Sequence, residues 1–416
     1  MSHFTSPRLA VRSSARRAQV RRLTGDRATP QLLAADVYSS RVAQAVKDKR
    51  SNRQFIALLI PGYNEELVIE HTIESAVRAG LDRRHIYVVD DNSNDKTAAI
   101  ARRTVGKYNV ITVPRSGKGL AVHRAAESLR LTDRYRWIHI ADADGEFDEQ
   151  YFTALRRDLR IKNAAATGYV SSMKTSIVSQ YRAFEYTIGM ELVRRFQSIA
   201  GVISIIPGPT SIFRSDVFSQ LDFHGNALCE DFDVTLQLHR QNLGSIQYIP
   251  KAIARTQDPS TFKDFVKQIT RWNRGVVQMF LKHRIGTRAT RIDTYLSYQL
   301  FQNLFFVFMY GVWVPYITMT TGNFGYIALA FIADVMTMFA YAYFAAIRSK
   351  RWDILAAFPV IYAMRWVSAY VFFKAFVEVA ILRRYRLDEA KGIWETVARH
   401  SQLTSKNQFN TARGNA

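Results

Sequence analysis

Residues 86–114, IYVVDDNSNDKTAAIARRTVGKYNVITVP, decide the fold. Ile86 to Val89 is a short apolar run that ends in Asp90 and Asp91. DKTAAIARRTVGK then reads as a helix and NVITVP as another strand. A strand that is apolar at every position has both faces covered, and strands alternating with helices make a mainly parallel sheet. The alternation extends both ways. Upstream, FIALLIPGYNEE is a strand closing in a Pro-Gly turn, and ELVIEHTIESAVRAG carries Ile, Leu and Val at helical spacing up to Gly80. Downstream, GLAVHRAAESLR reads as a helix and RWIHIADAD as a strand. The expected class is α/β. Ligands of such sheets bind beyond the carboxyl ends of the strands. Three of those ends carry acids: Glu65 with Glu66, Asp90 with Asp91, and Asp142 with Asp144.

In HIADADGEF (139–147), Asp142 and Asp144 project to the same side of an extended stretch, with only Ala143 between them. Two like charges side by side call for a cation or a shared proton. Hard carboxylate oxygens suit Mg2+ or Mn2+ held jointly with phosphate oxygens. Asp-x-Asp alone also fits an ordinary polar loop, so its company matters. CEDFDVTLQLHRQ (229–241) places Glu230, Asp231 and Asp233 at the start of an amphipathic helix, where acids also serve as caps. In STFKDFVKQITRWNRGVVQMFLKH (260–283), Phe262, Phe265, Val266, Ile269 and Val276 fall on one stripe. Gln268, Arg271 and Trp272 occupy the adjoining arc, an amide, a guanidinium and an indole within one turn. Such a patch can hold a diphosphate and a sugar ring; an interfacial helix with an aromatic anchor is the plainer reading.

The chain has 416 residues, 48% of them hydrophobic, and 57 Lys and Arg against 35 Asp and Glu give a net charge of +22. That balance fits nucleic acid, an anionic membrane face or a phosphorylated substrate. The basic residues do not interleave with aromatics on a recognition motif, so no nucleic-acid partner is expected. A single cysteine, Cys229, excludes an intrachain disulfide. The first 53 residues carry twelve Lys or Arg and three Asp, and no apolar run long enough for a signal peptide. They read as a basic arm.

From Tyr295 to Ile347 the one charged residue is Asp334. Tyr295–Met319 and Phe324–Ile347 are each long enough for the ~20 residues of a spanning helix. Basic flanks (His283, Arg284, Arg288 and Arg291 before; Arg348, Lys350 and Arg351 after) put both ends, and the α/β portion, in the cytoplasm. A third run, Ile354–Leu382, contains Arg365, Lys374 and Glu378, and a simple crossing would put RRYR (383–386) outside. It spans with its charges facing protein, or it lies in the interface. Lys374 and Glu378, four apart, are placed to pair. The expected division is an arm (1–53), an α/β domain (54–258), amphipathic interface helices (259–291), a membrane region of two or three helices (292–386) and a tail (387–416).

The ordered set IPGYNEE, VVDDNSND, SGKG, DADG, GPTSIFR, CED and QITRW resembles the processive branch of family 2 inverting glycosyltransferases, membrane-embedded relatives of hyaluronan, chitin and cellulose synthases. The likeness covers residues 55 to about 275 and the helices that follow. It implies a GT-A fold, Rossmann-like, with a cytosolic catalytic domain at the plasma membrane. It implies that Tyr63, Glu65 and Asp91 form the base pocket, that Lys118 contacts the diphosphate, and that Asp142 lies on the nucleotide side. Asp144 would meet the metal, Mg2+ or Mn2+. Asp231 would be the general base, with Glu230 beside it. Gln268, Arg271 and Trp272 match the family's Gln-x-x-Arg-Trp signature, and the turn with Gly208 and Pro209 resembles one near the acceptor. The implied donor is a UDP-sugar, N-acetylglucosamine or glucose, and the acceptor a carbohydrate or a lipid-linked one. A homo-oligomer is compatible with all of this. The chain departs from the long synthases in having at most three membrane helices, which leaves processive synthesis and single addition to a lipid or protein both open.

Overall fold

The computed structural model describes residues 53–173, 176–223 and 227–385; the arm, through residue 52, and the tail, from residue 386, lie outside them. The described elements run β1 (Gln54–Gly62), α1 (Ile69–Arg78), β2 (Ile86–Asp90), α2 (Thr97–Val105), β3 (Val110–Thr112), α3 (Lys118–Ser128), β4 (Tyr135–Ile140), β5 (Glu146–Phe147) and α4 (Tyr151–Asp158). Then come β6 (Ala165–Ser172), α5 (Ile177–Ile188), α6 (Arg194–Ala200), β7 (Ser211–Arg214), α7 (Glu230–Arg240), β8 (Ile246–Thr256) and α8 (Phe262–Lys282). Three long helices follow: α9 (Arg291–Thr321), α10 (Gly325–Ser349) and α11 (Phe358–Ile381).

All eight strands join one sheet, in the order β3-β2-β1-β4-β7-β6-β8-β5. β1 pairs parallel with β2, and β2 with β3. β7 runs antiparallel to both β4 and β6, while β6 and β8 are parallel. The sheet is thus mixed, parallel in the half built from the opening stretch, and the reversal at β7 falls beside β4. Every residue of β2 is buried, as the unbroken apolar run predicts. Side chains alternate across β1. Ile56, Leu58 and Ile60 pack on one face with Ile69 and Ile73 of α1. Ala57 and Leu59 pack on the other with Val122 and Ala125 of α3. Each such Leu or Ile contributes ~1.5–3 kcal/mol by burial.

α9, α10 and α11 are long and apolar enough to cross a membrane. The buried acid in the middle of α10, Asp334, is not isolated: Arg365 donates to it at 2.6 Å and the Tyr362 hydroxyl at 2.9 Å. Pairing inside the bundle is what an ionisable group there requires. The α/β domain is tied to α9 near its start, where Arg240 meets Asp293 at 2.5 Å, and to α10 near its end, where Arg348 meets Glu191 at 2.9 Å. α11 is different. Ile361, Met364 and Val371 share a core with Phe265 and Ile269 of α8. The Tyr181 hydroxyl of α5 reaches Ser368 at 3.1 Å, halfway along α11. At the far end Glu378 accepts from Arg274 at 2.8 Å, and the Gln278 amide donates to the Tyr385 carbonyl. Lys374 stands 4.0 Å from Glu378, the pairing their spacing predicts.

Candidate active site

The first two strand ends are joined through Asp91. Its N–H donates to the Gly62 carbonyl at 2.9 Å, and its carboxylate is fully buried. That carboxylate accepts the Ser116 N–H at 2.8 Å, the Gly117 N–H at 2.9 Å and the Arg115 guanidinium at 3.2 Å. It therefore pins the loop that enters α3. The same guanidinium lies 3.2 Å from the centre of the Tyr63 ring. Glu65, also buried, donates its N–H to Thr97 Oγ1 at 2.7 Å. Arg115 was not singled out from sequence; it links Tyr63 to Asp91 by a stack that leaves no short-range signature.

Lys118, the first residue of α3, points its ammonium at Asp142 (2.6 Å) and toward Glu230 (3.5 Å). Burial works against its charge, but Asp142 and Glu230 outweigh it and hold its pKa above that of an ordinary lysine. Gly208 begins the turn Gly208–Thr210, buried throughout. A Cβ on Gly208 would sit 2.8 Å from both Lys118 Nζ and Asp142 Oδ2, so any larger residue here would displace the ends of these two side chains. The Gly208–Pro209 turn thus backs onto the expected diphosphate contact. The Ile206 N–H donates to Thr235 Oγ1 at 2.9 Å, and that hydroxyl donates to the Asp231 carbonyl at 2.7 Å, fixing the turn to α7.

Asp231 lies in the first turn of α7, and its carboxylate accepts the Phe232 N–H at 2.9 Å. The residue is partly open, yet surrounding protein pushes its carboxyl up to about 6; Glu230 adds to this and Lys118 opposes it. The turn of HIADADGEF is held from α1, whose Thr72 hydroxyl contacts the carbonyls of Ala143 (2.6 Å) and Gly145 (2.8 Å). Asp142 turns to Lys118. Asp144 is buried, with Asp258 close enough for each charge to feel the other.

α8 docks against the CED segment because neither side has bulk. A Cβ on Gly275 would meet Cys229 Sγ at 2.4 Å. The Cys229 thiol lies 3.6 Å from the Trp272 carbonyl, and Arg271 donates to the Leu228 carbonyl at 3.2 Å. Cys229 is thus a packing residue. Gln268 and Trp272 meet at a residue the sequence did not reveal, Arg182 of α5. It donates to the Gln268 side-chain oxygen and to Glu185 at 2.8 Å, and its guanidinium carbon lies 4.5 Å from the Trp272 ring centre. Asp258, also missed, is held by Ser172; burial raises its carboxyl to about 7 against the pull of Arg182. Of the expected stripe, Phe265 and Ile269 are buried and Val266 and Val276 half-buried, while Phe262 is exposed.

Among the described residues no three His, Cys, Asp or Glu side chains converge as a metal cage. An ion there would take carboxylate oxygen from Asp144, since Asp142 is committed to Lys118. That suits a hard divalent ion shared with phosphate oxygens, the usual arrangement for Mg2+.

The family model described as glycosyltransferase like family 2 matches residues 53–275. A probable glycosyltransferase, YdaM of Bacillus subtilis, is 26% identical over 379 residues, covering 84% of this chain and 88% of that protein. The poly-beta-1,6-N-acetyl-D-glucosamine synthase of Staphylococcus epidermidis is 24% identical over 296 residues, 69% of this chain and 70% of the synthase. Among solved structures, the mannosyltransferase PcManGT of Pyrobaculum calidifontis, in complex with GDP-Man and Mn2+, superposes with a TM-score of 0.52 at 16% identity, covering 75% of this chain and 87% of that one. That likeness is one of fold.

Proposed function

Because the chain belongs to glycosyltransferase family 2, we propose that its cleft moves a sugar with inversion from a UDP-sugar, N-acetylglucosamine or glucose, to a growing polysaccharide or oligosaccharide. The observation that carries this reading is the meeting of Lys118, Asp142, Glu230 and Asp231, contributed by three separate elements, behind Gly208. N-acetylglucosamine is favoured by the relative from Staphylococcus epidermidis.

Tyr63, Glu65 and Asp91 would hold the base. Lys118 exchanges Asp142 for the donor's diphosphate, and Arg271 supports the charge that grows there as the bond to the anomeric carbon breaks. Asp144 would hold Mg2+ or Mn2+, which when bound neutralises part of that charge. Asp231, ionised above about pH 6, takes the proton of the acceptor hydroxyl as it attacks the opposite face. Trp272 and Gln268 orient the acceptor sugar. The test is a screen of UDP-sugars with purified protein and Mn2+ or Mg2+, reading UDP release. Release with one sugar, abolished in Asp231→Asn, is expected. No release with any sugar, or full turnover by the variant, overturns the reading.

One feature favours a second acceptor class. A cavity of about 420 Å3 lies between α7, α8, α9 and α11, lined by Phe232, Val276, Phe280, Leu300, Phe372 and Phe376. Phe232 adjoins Asp231, so a lipid-linked acceptor could lie here with its sugar in the cleft. A product ladder on a gel supports polymer synthesis; a single added sugar supports the lipid-linked alternative.

The same contacts bear on the membrane. α9 and α10 would cross the bilayer, with the catalytic domain on the cytoplasmic side given by the basic flanks. α11 is tied to both parts: Ser368 bonds to Tyr181 of the catalytic domain and Glu378 to Arg274 of α8, while Arg365 and Tyr362 bond to Asp334 near the middle of α10. Because its far end stays bonded to α8, the chain up to Tyr385 is read as staying on the catalytic side, where the positive-inside rule puts its basic residues. A cysteine introduced after Tyr385 should be labelled from the same side as one in the catalytic domain; labelling from the opposite side overturns this.

A further inference from the structure

We propose that Arg182 is a positioning residue for the acceptor, setting which end of the Gln268 amide and which plane of the Trp272 indole face the bound sugar. This rests on the transferase reading above.

A guanidinium has five donors and no acceptor. Because Arg182 Nη2 bonds to the side chain of Gln268, the amide oxygen must be the atom turned toward it. The amide nitrogen then faces away, so Gln268 offers the ligand two N–H donors. Without Arg182 the amide is free to turn over and present its oxygen instead. The same guanidinium lies 4.5 Å from the centre of Trp272, an attraction that holds the indole plane. Glu185 fixes the guanidinium from its own helix at 2.8 Å, and Phe265, 5.3 Å away, closes it in. One residue on α5 therefore governs two side chains on α8.

A packing role alone accounts poorly for this choice. Arg182 is 3% exposed, and its Nε has no hydrogen-bond partner among the described residues. A buried cation with an idle donor is a costly filler where an apolar side chain of similar volume would be neutral or better. Its Nη1 donates to Glu185 and its Nη2 to Gln268.

The experiment compares wild type, Arg182→Gln, Arg182→Lys, Gln268→Ala and the double variant Arg182→Gln with Gln268→Ala. It measures KM for acceptor and for donor separately, with melting temperature alongside. Arg182→Gln should raise acceptor KM about 10-fold or more, the scale of a charged hydrogen bond, and leave donor KM within about 2-fold. The double variant should be no worse than Gln268→Ala by more than about 2-fold, since both changes remove one arrangement. Arg182→Lys keeps the charge but loses the fork, and should recover only part of the affinity. Unchanged acceptor KM, or fully additive effects of Arg182→Gln and Gln268→Ala, overturns the proposal. If Arg182→Gln does not fold, the Lys variant carries the same test through the same double variant with Gln268→Ala. Absence of turnover in wild type would count instead against the transferase reading itself.

Discussion

The two ends of the cleft are built differently. At the Lys118 end the partners are strand ends and the loops that leave them. Asp91 accepts two backbone N–H groups from the loop before α3, and Lys118 is the first residue of that helix. At the Arg182 end the key contact joins side chains 86 residues apart, on α5 and α8. The first end is made by local βα units and comes ready-made with the sheet. The second exists only once α8 has docked on the CED segment and α11 has closed behind it. On the proposed reading, bond breaking would belong to the first end and acceptor placement to the second, so acceptor placement would rest on the more assembled part.

The sharpest way to break this division is at the point where the ends meet. Asp231→Asn should lower transfer by about 10²- to 10⁴-fold, the range of general base catalysis, while leaving donor binding in place. A loss of donor binding of similar size would show that Asp231 serves the Lys118 end instead. Next in size is Gly208→Ala. Its new methyl would fall 2.8 Å from both Lys118 Nζ and Asp142 Oδ2. The methyl takes the space through which the ammonium turns from Asp142 to the donor's diphosphate, so donor KM should rise about 10-fold, at the low end of the ~1–3 kcal/mol that overpacking costs, with acceptor KM little changed. An equal rise in both constants would blur the two ends.

A smaller effect comes from pH. With its carboxyl raised to about 6 by burial and by Glu230, Asp231 loses its charge as pH falls through that value. A base must be unprotonated to act, so kcat should fall about tenfold per unit below pH 6 and level off above it. A profile flat down to pH 4.5 would remove Asp231 from the role.

What the sequence made legible follows the same line. The opening stretch specified β2, α2 and β3 because a fully apolar strand is a local pattern, and α8 was legible from its 3.6-residue period. The acids at the strand ends were legible because residues at a strand's carboxyl end are placed by the strand. Arg182 and Asp258 were not legible, for a physical reason. RAFEY and QDPST carry nothing locally unusual, and their meaning comes from burial beside Gln268 and Asp144 once distant segments pack. Arg115 stacked on Tyr63 is of the same kind. The third apolar run was ambiguous because composition records length and charge but not which neighbour covers each face. Ser368 touching Tyr181 supplies that. The reversal at β7 was likewise hidden, since a four-residue strand reads alike in either direction.

The smallest effect expected on chemistry tests the docking itself. Gly275 sits where a Cβ would come within 2.4 Å of Cys229 Sγ, with the Cys229 backbone nitrogen 3.1 Å away. Gly275→Ala must therefore push α8 off the CED segment or push Cys229 aside, at a strain of ~1–3 kcal/mol. Helix propensity works the other way, since Ala is favoured over Gly by ~1 kcal/mol inside a helix. The steric term should win, because the Sγ contact is far inside van der Waals distance and the Cys229 Cβ and backbone nitrogen, at 3.0 and 3.1 Å, are crowded as well. A lower melting temperature is expected, with acceptor KM rising a fewfold as Trp272 shifts and donor KM unchanged. Adding Cys229→Ala removes the sulfur that clashes and should restore most of the stability. A double variant no more stable than Gly275→Ala alone would mean that the backbone of the CED segment, rather than the thiol, sets the distance. The acceptor end would then be held by main-chain packing, and the side chain at position 229 would be free to vary without moving it.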